Sequence, residues 1–144
     1  MSTPVDICAL EDLDPERGVG ALLGATQVAV FRLTDGTVRA VQQRDPYSGA
    51  NVMSRGLVGT HRVTGDDGAV RDVTTVTTPM LKQVWDIDTG EVVDSGGKDR
   101  RPLAVFPAEV RDGRVLVAGV GARSVVVVGR TAAEERVAAS PSGA

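Results

Sequence analysis

The sequence predicts an all-β domain, and three observations support that fold class. Valine-rich runs of strand length recur along the chain, Gly and Pro separate them often, and Asp-Gly pairs stand where tight hairpins are expected. The chain has 144 residues, which suits one domain that buries a core without disulfides or metals. Many short strands with frequent turns are typical of an antiparallel sandwich or small barrel.

The candidate strands follow from these runs, and two hairpins are marked by Asp35-Gly36 and Asp112-Gly113. Residues 43 to about 70 hold many glycines and are expected to form a loop. Glu134 and its neighbouring alanines predict a short C-terminal helix, after which the chain is expected to fray. The strands are expected at residues 5–9, 26–33, 37–42, 71–77, 81–87, 104–110, 114–118 and 124–128.

Composition and charge argue against several classes of protein. The net charge is -3 and aromatic residues make up 3% of the chain, whereas nucleic-acid binders usually carry a basic stripe and stacking aromatics. The basic run at 98–101 is interpreted as a solvated loop. No apolar run approaches the roughly 20 residues of a membrane helix, and the N-terminus lacks the basic start of a signal peptide.

Two segments carry the most information, residues 43–59 and residues 78–90. The second resembles the second cluster-binding loop of Rieske iron–sulfur domains, with Pro79, Trp85, Asp86 and a Thr-Gly turn in matching places. The first resembles the first cluster-binding loop of the same domains. The resemblance implies a Rieske-like fold, with a cluster-binding-type subdomain, over residues 1–120. The C-terminal extension at 121–144 has no counterpart in the resemblance, and its last residues are expected to be disordered.

The cluster ligands of that family are missing from both segments. Gln43 and Asp45 stand where Rieske domains have Cys-x-His, and Thr78 and Leu81 stand where they have Cys-x-x-His. A Rieske centre needs two thiolates and two imidazoles. The whole chain has one cysteine and one histidine, so no arrangement of its side chains supplies four such ligands. We therefore expect no cluster and no metal in this chain.

The motifs Ser-Arg-Gly-Leu-Val-Gly at 54–59 and Pro-Met-Leu-Lys-Gln at 79–83 resemble those of the small subunit of NAD(P)H-dependent assimilatory nitrite reductase. The resemblance implies a non-catalytic subunit of a cytoplasmic enzyme that reduces nitrite to ammonia. It implies a large-subunit partner that carries FAD, siroheme and an iron–sulfur cluster, with no cofactor in this chain and no nucleic-acid or membrane partner. A Rieske-like interaction module for another redox enzyme is the alternative.

Other chemistry-bearing residues have simpler interpretations. Asp45 and Asp86 are a possible acid–base pair, but each stands at a turn signal, which favours a structural role. His61 has no companion His or Cys and is interpreted as a hydrogen-bonding loop residue. Cys8 is expected to be a small buried hydrophobe on a strand, and Trp85 a core anchor.

The tips of the two loops are the predicted partner-binding surface. Two alternatives stay open for Met80 and Leu81: they fill the space of the absent cluster, or they form an exposed patch that docks a partner. Arg55 and Lys82 are candidates for charge pairing at its rim. The candidate partner-binding residues are Ser54, Arg55, Gly56, Met80, Leu81, Lys82 and Gln83.

Overall fold

Antiparallel strands build the part of the chain that the computed structural model describes, which is residues 3–80, 82–119 and the backbone of 125–128. Two short 3-10 helices, Leu10–Asp12 and Met53–Arg55, lie between strands. The strands are β1 (Pro4–Ala9), β2 (Gly18–Leu23), β3 (Thr26–Arg32), β4 (Val38–Gln42), β5 (Leu57–Thr64), β6 (Val70–Thr77), β7 (Val84–Asp86), β8 (Val92–Asp94), β9 (Val105–Phe106), β10 (Ala108–Arg111), β11 (Arg114–Ala118) and β12 (Val125–Val128).

Two of the three sheets form the base of the molecule. One has the strand order β12-β2-β3-β4-β9 and the other the order β1-β11-β10. The β10–β11 turn has positive φ at both Asp112 and Gly113, as the tightest hairpin turn requires. The buried side chains between these sheets form one apolar cluster, which consists of Ile7, Leu13, Ala21, Leu23, Val28, Val30, Val38, Ala40, Val115 and Val117.

The third sheet has the order β5-β6-β7-β8 and lies beside a second apolar cluster. Phe31 and Val41 reach this cluster from the base, so the third sheet and the base share it. Trp85 on β7 is fully buried, which confirms its predicted role as a core anchor. The remaining buried members are Ala29, Met53, Val76, Ile87, Val92 and Leu103.

The all-β prediction is confirmed, while several predicted elements need correction. The predicted loop at 43–70 is wrong in its middle part, because β5 occupies Leu57–Thr64 and pairs with β6 along its whole length. His61 therefore lies on a strand. The structure also has β2 and β8, which the prediction lacked, and reduces the expected strand at 81–87 to β7.

The C-terminal expectations are only partly covered by the described residues. The backbone of β12 pairs with β2, which confirms the strand expected at 124–128. The predicted helix around Glu134 lies outside the described residues. The division into a domain at 1–120 and an extension at 121–144 stays a prediction. One strand of the extension, β12, belongs to the five-stranded sheet.

Candidate functional site

The two loops singled out by the sequence lie side by side. The first, residues 43–56, leaves β4 and ends in the 3-10 helix before β5, and the second, residues 78–83, joins β6 to β7. Each closes on itself through backbone hydrogen bonds. The Met53 N–H donates to the Gln43 carbonyl at 3.0 Å, and the Thr78 N–H donates to the Gln83 carbonyl at 3.0 Å. The pair of loops is called the loop tip below.

A buried side-chain hydrogen bond joins the two loops. The Thr78 hydroxyl donates to Oδ2 of Asp45 at 2.9 Å, although the residues are 33 positions apart in sequence. Both are almost completely buried, with exposures of 0% for Thr78 and 1% for Asp45. The other carboxylate oxygen, Oδ1, accepts the Tyr47 N–H at 2.9 Å, so both oxygens of this buried charge are satisfied. A hydrogen bond to a charged group is stronger than a neutral one.

A second polar contact fixes the first loop internally. The Gln43 amide donates from Nε2 to the Ser54 hydroxyl at 2.9 Å and accepts the Ser54 N–H on Oε1 at 2.7 Å. Gln43 is 4% exposed. Because a buried amide without partners is costly, this two-point contact holds the beginning of the loop against its end.

Gly56 allows the first loop to approach the end of β6 closely. A Cβ atom at this position would lie 2.6 Å from the Thr77 carbonyl oxygen and 3.0 Å from a Val76 methyl group. The first distance is shorter than real Cβ atoms show, so a larger residue would push the end of the first loop away from the end of β6, where the second loop begins. Gly56 is thus a spacing residue inside the loop tip.

A third segment packs against the first loop and was missed by the sequence interpretation. The Tyr47 hydroxyl donates to the Asp99 carbonyl at 2.7 Å and accepts the Arg101 N–H at 3.1 Å. The Arg101 guanidinium stacks 5.5 Å from the Tyr47 ring centre and donates to the Pro46 carbonyl at 3.0 Å. Trp85 Nε1 donates to the Arg101 carbonyl at 2.8 Å. The only sequence signal was a tyrosine in a loop of an aromatic-poor chain.

The residues at the family's ligand positions do not fit an iron–sulfur cluster. Gln43 is an amide, Thr78 is an alcohol and Asp45 is a carboxylate, and each already has a protein partner. Leu81 lies outside the described residues, and its side chain has no ligand atom. Cys8 lies on β1 and His61 on β5, so the single thiol and the single imidazole of the sequence are both on strands outside the two loops. These positions cannot supply the thiolate and imidazole ligands of a Rieske centre.

The other candidate residues have structural partners. Asp86 is 4% exposed, and its Oδ1 accepts the backbone N–H groups of Asp88 and Thr89 in the following turn. His61 shares a hydrogen bond of 2.8 Å with the Thr75 hydroxyl on β6. Cys8 is half-buried and packs against the base cluster. Asp45 bonds to Thr78 and Tyr47 rather than to Asp86, as the turn interpretation of both carboxylates predicts.

Six of the seven predicted partner-binding residues fall into two groups. Gly56 and Gln83 are buried, and Ser54 is half-buried and bonded to Gln43, so these three support the loop tip from inside. Arg55, Lys82 and Met80 are exposed, and Met80 is 63% exposed. The alternative in which Met80 fills the space of the cluster is therefore wrong. Leu81 lies outside the described residues.

The exposed charges of the loop tip have one sign. Arg44, Arg55 and Lys82 are exposed, and the one acid in the described residues of the two loops, Asp45, is buried. The whole chain has a net charge of -3. The exposed charges in the described part of the two loops are thus all positive in an acidic protein, and such a surface suits an acidic partner.

Within residues 3–80 and 82–119 no group of three or more His, Cys, Asp and Glu side chains is placed to hold a metal ion. The described residues also contain no helix long and apolar enough to cross a membrane.

Comparisons with known proteins give the family of the chain. The family model described as "Rieske-like [2Fe-2S] domain" matches residues 4–118. The NADH nitrite reductase small subunit of Escherichia coli K12 is 34% identical over 120 residues, which cover 83% of this chain and all of that protein. A crystal structure from Mycobacterium tuberculosis, assigned as an NADH-dependent nitrite reductase small subunit, is 41% identical with a TM-score of 0.68, covering 84% of this chain and 98% of that one.

A further relative has a different domain arrangement. The NAD(P)H nitrite reductase large subunit of Klebsiella oxytoca is 35% identical over 111 residues, which are 77% of this chain and 10% of that protein.

The Rieske-like fold and the sequence resemblance are therefore both confirmed, and this chain belongs to the Rieske-like domain family and, within it, to the nitrite reductase small subunits.

Proposed function

We propose that the chain is the non-catalytic small subunit of a cytoplasmic NAD(P)H-dependent nitrite reductase, which converts nitrite to ammonia. The observation that carries this proposal is the Asp45–Thr78 hydrogen bond. It joins the two loops at positions where Rieske domains hold a redox centre. A hydrogen bond in place of cluster ligands supports a role for this chain in recognition rather than in passing electrons.

The relative from Klebsiella oxytoca supports the proposed partner. In that protein a segment similar to this chain is part of the large-subunit polypeptide itself. A domain that is fused to the large subunit in one organism and separate in another is expected to work beside it in both. The proposed partner of this chain is accordingly the large subunit of nitrite reductase.

The proposed division of labour leaves the redox chemistry to the partner. FAD, siroheme and an iron–sulfur cluster are proposed to lie in the large subunit, and none in this chain. A cytoplasmic location is in keeping with a chain that has a single cysteine and so makes no internal disulfide. Unlike a ferredoxin, the chain is proposed to act by binding and positioning.

The exposed part of the loop tip is the proposed docking surface. Arg55 and Lys82 form its cationic rim, Met80 is its apolar contact, and Leu81 stays a candidate from the sequence. Ser54, Gly56 and Gln83 keep the two loops in place. We expect the facing surface of the large subunit to offer an apolar site among carboxylates, since complementary charges steer association and an anchored apolar side chain holds it.

Co-purification with the large subunit tests the function and its surface together. The tagged chain is expected to capture the large subunit, and the double variant Arg55→Glu/Lys82→Glu to bind it at least about tenfold more weakly, since reversed charges oppose the partner's field. Raising the salt concentration should weaken the parent complex as well. Arg71→Glu, an equally exposed charge reversal on β6, is the matched control and should bind like the parent.

Two results would contradict the proposal. A large subunit that reduces nitrite at full rate alone and never binds this chain would remove the subunit role. An iron assay and visible spectrum that reveal a stoichiometric [2Fe–2S] centre in the purified chain would remove the non-redox role. Capture of a different redox enzyme in place of the large subunit would favour the alternative module.

A further inference from the structure

The open edge of β5 differs from the other sheet edges in the described residues. The edge strands β8, β9, β10 and β12 have two to four residues, and β1 is interrupted by a register shift between Asp6 and Cys8 and begins with Pro4. Strand β5 has eight residues and a regular register against β6. Natural proteins usually shorten, bend or charge such edges because they pair readily with another strand.

The direction of the β5 backbone groups follows from two hydrogen bonds. The Ile87 N–H donates to the Thr74 carbonyl at 3.0 Å, so the backbone of Thr74 faces β7. Thr60 lies opposite Thr74 and must turn its own N–H and carbonyl away from β6. The Gly65 N–H, one residue beyond the strand, donates to the Ala69 carbonyl at 2.8 Å. Because backbone groups face alternate sides along a strand, this bond agrees with Thr64 and Thr60 facing away from β6.

Four residues of β5 consequently present backbone donors and acceptors to the open edge: Val58, Thr60, Arg62 and Thr64. No other described segment pairs with them. The strand contains no proline and no lysine, and its single charge, Arg62, is paired at 3.3 Å with Asp72 of the same hairpin. Leu57, at the start of the strand, is 60% exposed. Apart from this one paired charge, the usual devices that discourage edge pairing are therefore missing from this strand.

We propose that two copies of this chain pair antiparallel through β5 around a two-fold axis at Thr60. Thr60 then faces its own copy as a hydrogen-bonded pair, and Val58 faces Arg62 of the other copy. The exposed Leu57 meets Val63, which covers its apolar surface. The one charged residue of the strand never faces its own copy, so no like charges oppose each other. The occupant of the edge is a second copy because β5 is complementary to itself.

Sedimentation equilibrium of the full chain tests this pairing. The mass is expected to rise from 15.0 kDa towards twice that value as the concentration increases to about 1 mM, since one strand pair buries less than a standard interface. Thr60→Pro should stay monomeric over the same range. Proline removes the N–H that faces the open edge, while the bonds between β5 and β6 do not use that group.

Disulfide trapping tests the register without depending on a proline. Thr60→Cys should form a cross-linked dimer under mild oxidation, because Cα atoms in a hydrogen-bonded pair lie about 5.5 Å apart. Thr64→Cys is the matched control: it has the same chemistry on the same edge, but its two copies would lie about 27 Å apart at about 3.4 Å per residue. The parent chain gives the background from Cys8.

The pairing is independent of the proposed subunit role, which is tested by a different binding reaction. A parent chain that remains monomeric at every concentration would overturn it. Equal cross-linking of Thr60→Cys and Thr64→Cys would also overturn it. If the parent were monomeric and Thr60→Pro lost the large subunit, the edge would belong to that partner and self-pairing would be wrong.

Discussion

The base of the molecule and the loop tip are held together by different forces. Between the base sheets the buried residues are apolar, and Val28, Val30 and Val115 are completely inaccessible to solvent. Between the two loops the contact is polar, with Asp45 bonded to Thr78 and Gln43 bonded to Ser54. The base tolerates similar apolar side chains that conserve volume, whereas the tip requires particular donors and acceptors in place.

This contrast suggests how a cluster-binding fold persists without the cluster. Loops that lose a metal also lose the bonds that hold them together, and buried polar groups must then find new partners. Here a carboxylate and a hydroxyl bond directly across the two loops. Apolar packing from Met53 and Trp85, both completely buried, continues the core beneath them.

The largest expected effect comes from removing the packing that the base and the tip share. Trp85→Ala should lower the free energy of unfolding by about 3–5 kcal/mol, because it leaves a large cavity in the second cluster and removes the hydrogen bond to the Arg101 carbonyl. Urea denaturation followed by circular dichroism measures the change. Val110→Ala, at a surface valine of 36% exposure, should change stability by less than about 0.5 kcal/mol. A similarly small change for Trp85→Ala would show that the two regions are not coupled by this residue.

A smaller effect is expected where the first loop meets the end of β6. Gly56→Ala should cost about 1–3 kcal/mol, because its Cβ atom would press on the Thr77 carbonyl oxygen. Urea denaturation measures this cost. Gly59→Ala on β5, where the nearest atom to a Cβ is 3.9 Å away, should cost clearly less. If the two variants lost equal amounts of stability, the close approach of the first loop to the end of β6 would not contribute to the stability of the fold.

The smallest effect concerns the ion pair of the segment that packs on Tyr47. The hydrogen bond from Arg101 holds the pKa of Asp99 below its ordinary 3.8. An acid whose pKa is lowered in the folded state stabilises that state at pH values above its ordinary pKa. This stabilisation is lost as the pH falls through the lowered pKa. Because both side chains are exposed, we expect little change in stability. An NMR titration of Asp99 should give a midpoint below 3.8, and Arg101→Ala should move it back up; an unchanged midpoint in that variant would contradict the contact.

Sequence patterns predicted the parts of the fold that depend on local chemistry. Asp35-Gly36 and Asp112-Gly113 both mark real hairpins, between β3 and β4 and between β10 and β11. Counting cysteines and histidines sufficed to show that the Rieske ligand set is missing. The sequence also predicted that the two loops are neighbours, because both resemble loops that hold a single cluster in the family.

The rest depends on contacts that no local pattern contains. The sequence predicts a loop where β5 lies, because none of the residues of this edge strand is buried and its sequence lacks the apolar alternation by which a half-buried strand is predicted. The Asp45–Thr78 bond and the Tyr47–Arg101 contact join residues far apart in sequence. Their partners become visible only when the sheets bring the loops together.

A double-mutant cycle on Asp45 and Thr78 tests the central claim most directly. The free energies of unfolding of Asp45→Ala, Thr78→Val and the double variant are compared with that of the parent, since alanine removes the acceptor that asparagine would keep. If this bond joins the two loops, we expect a coupling energy of about 1.5–3 kcal/mol, as for a buried hydrogen bond to a charged group. Effects that add within about 0.5 kcal/mol would contradict the claim and leave the loops held by the packing beneath them.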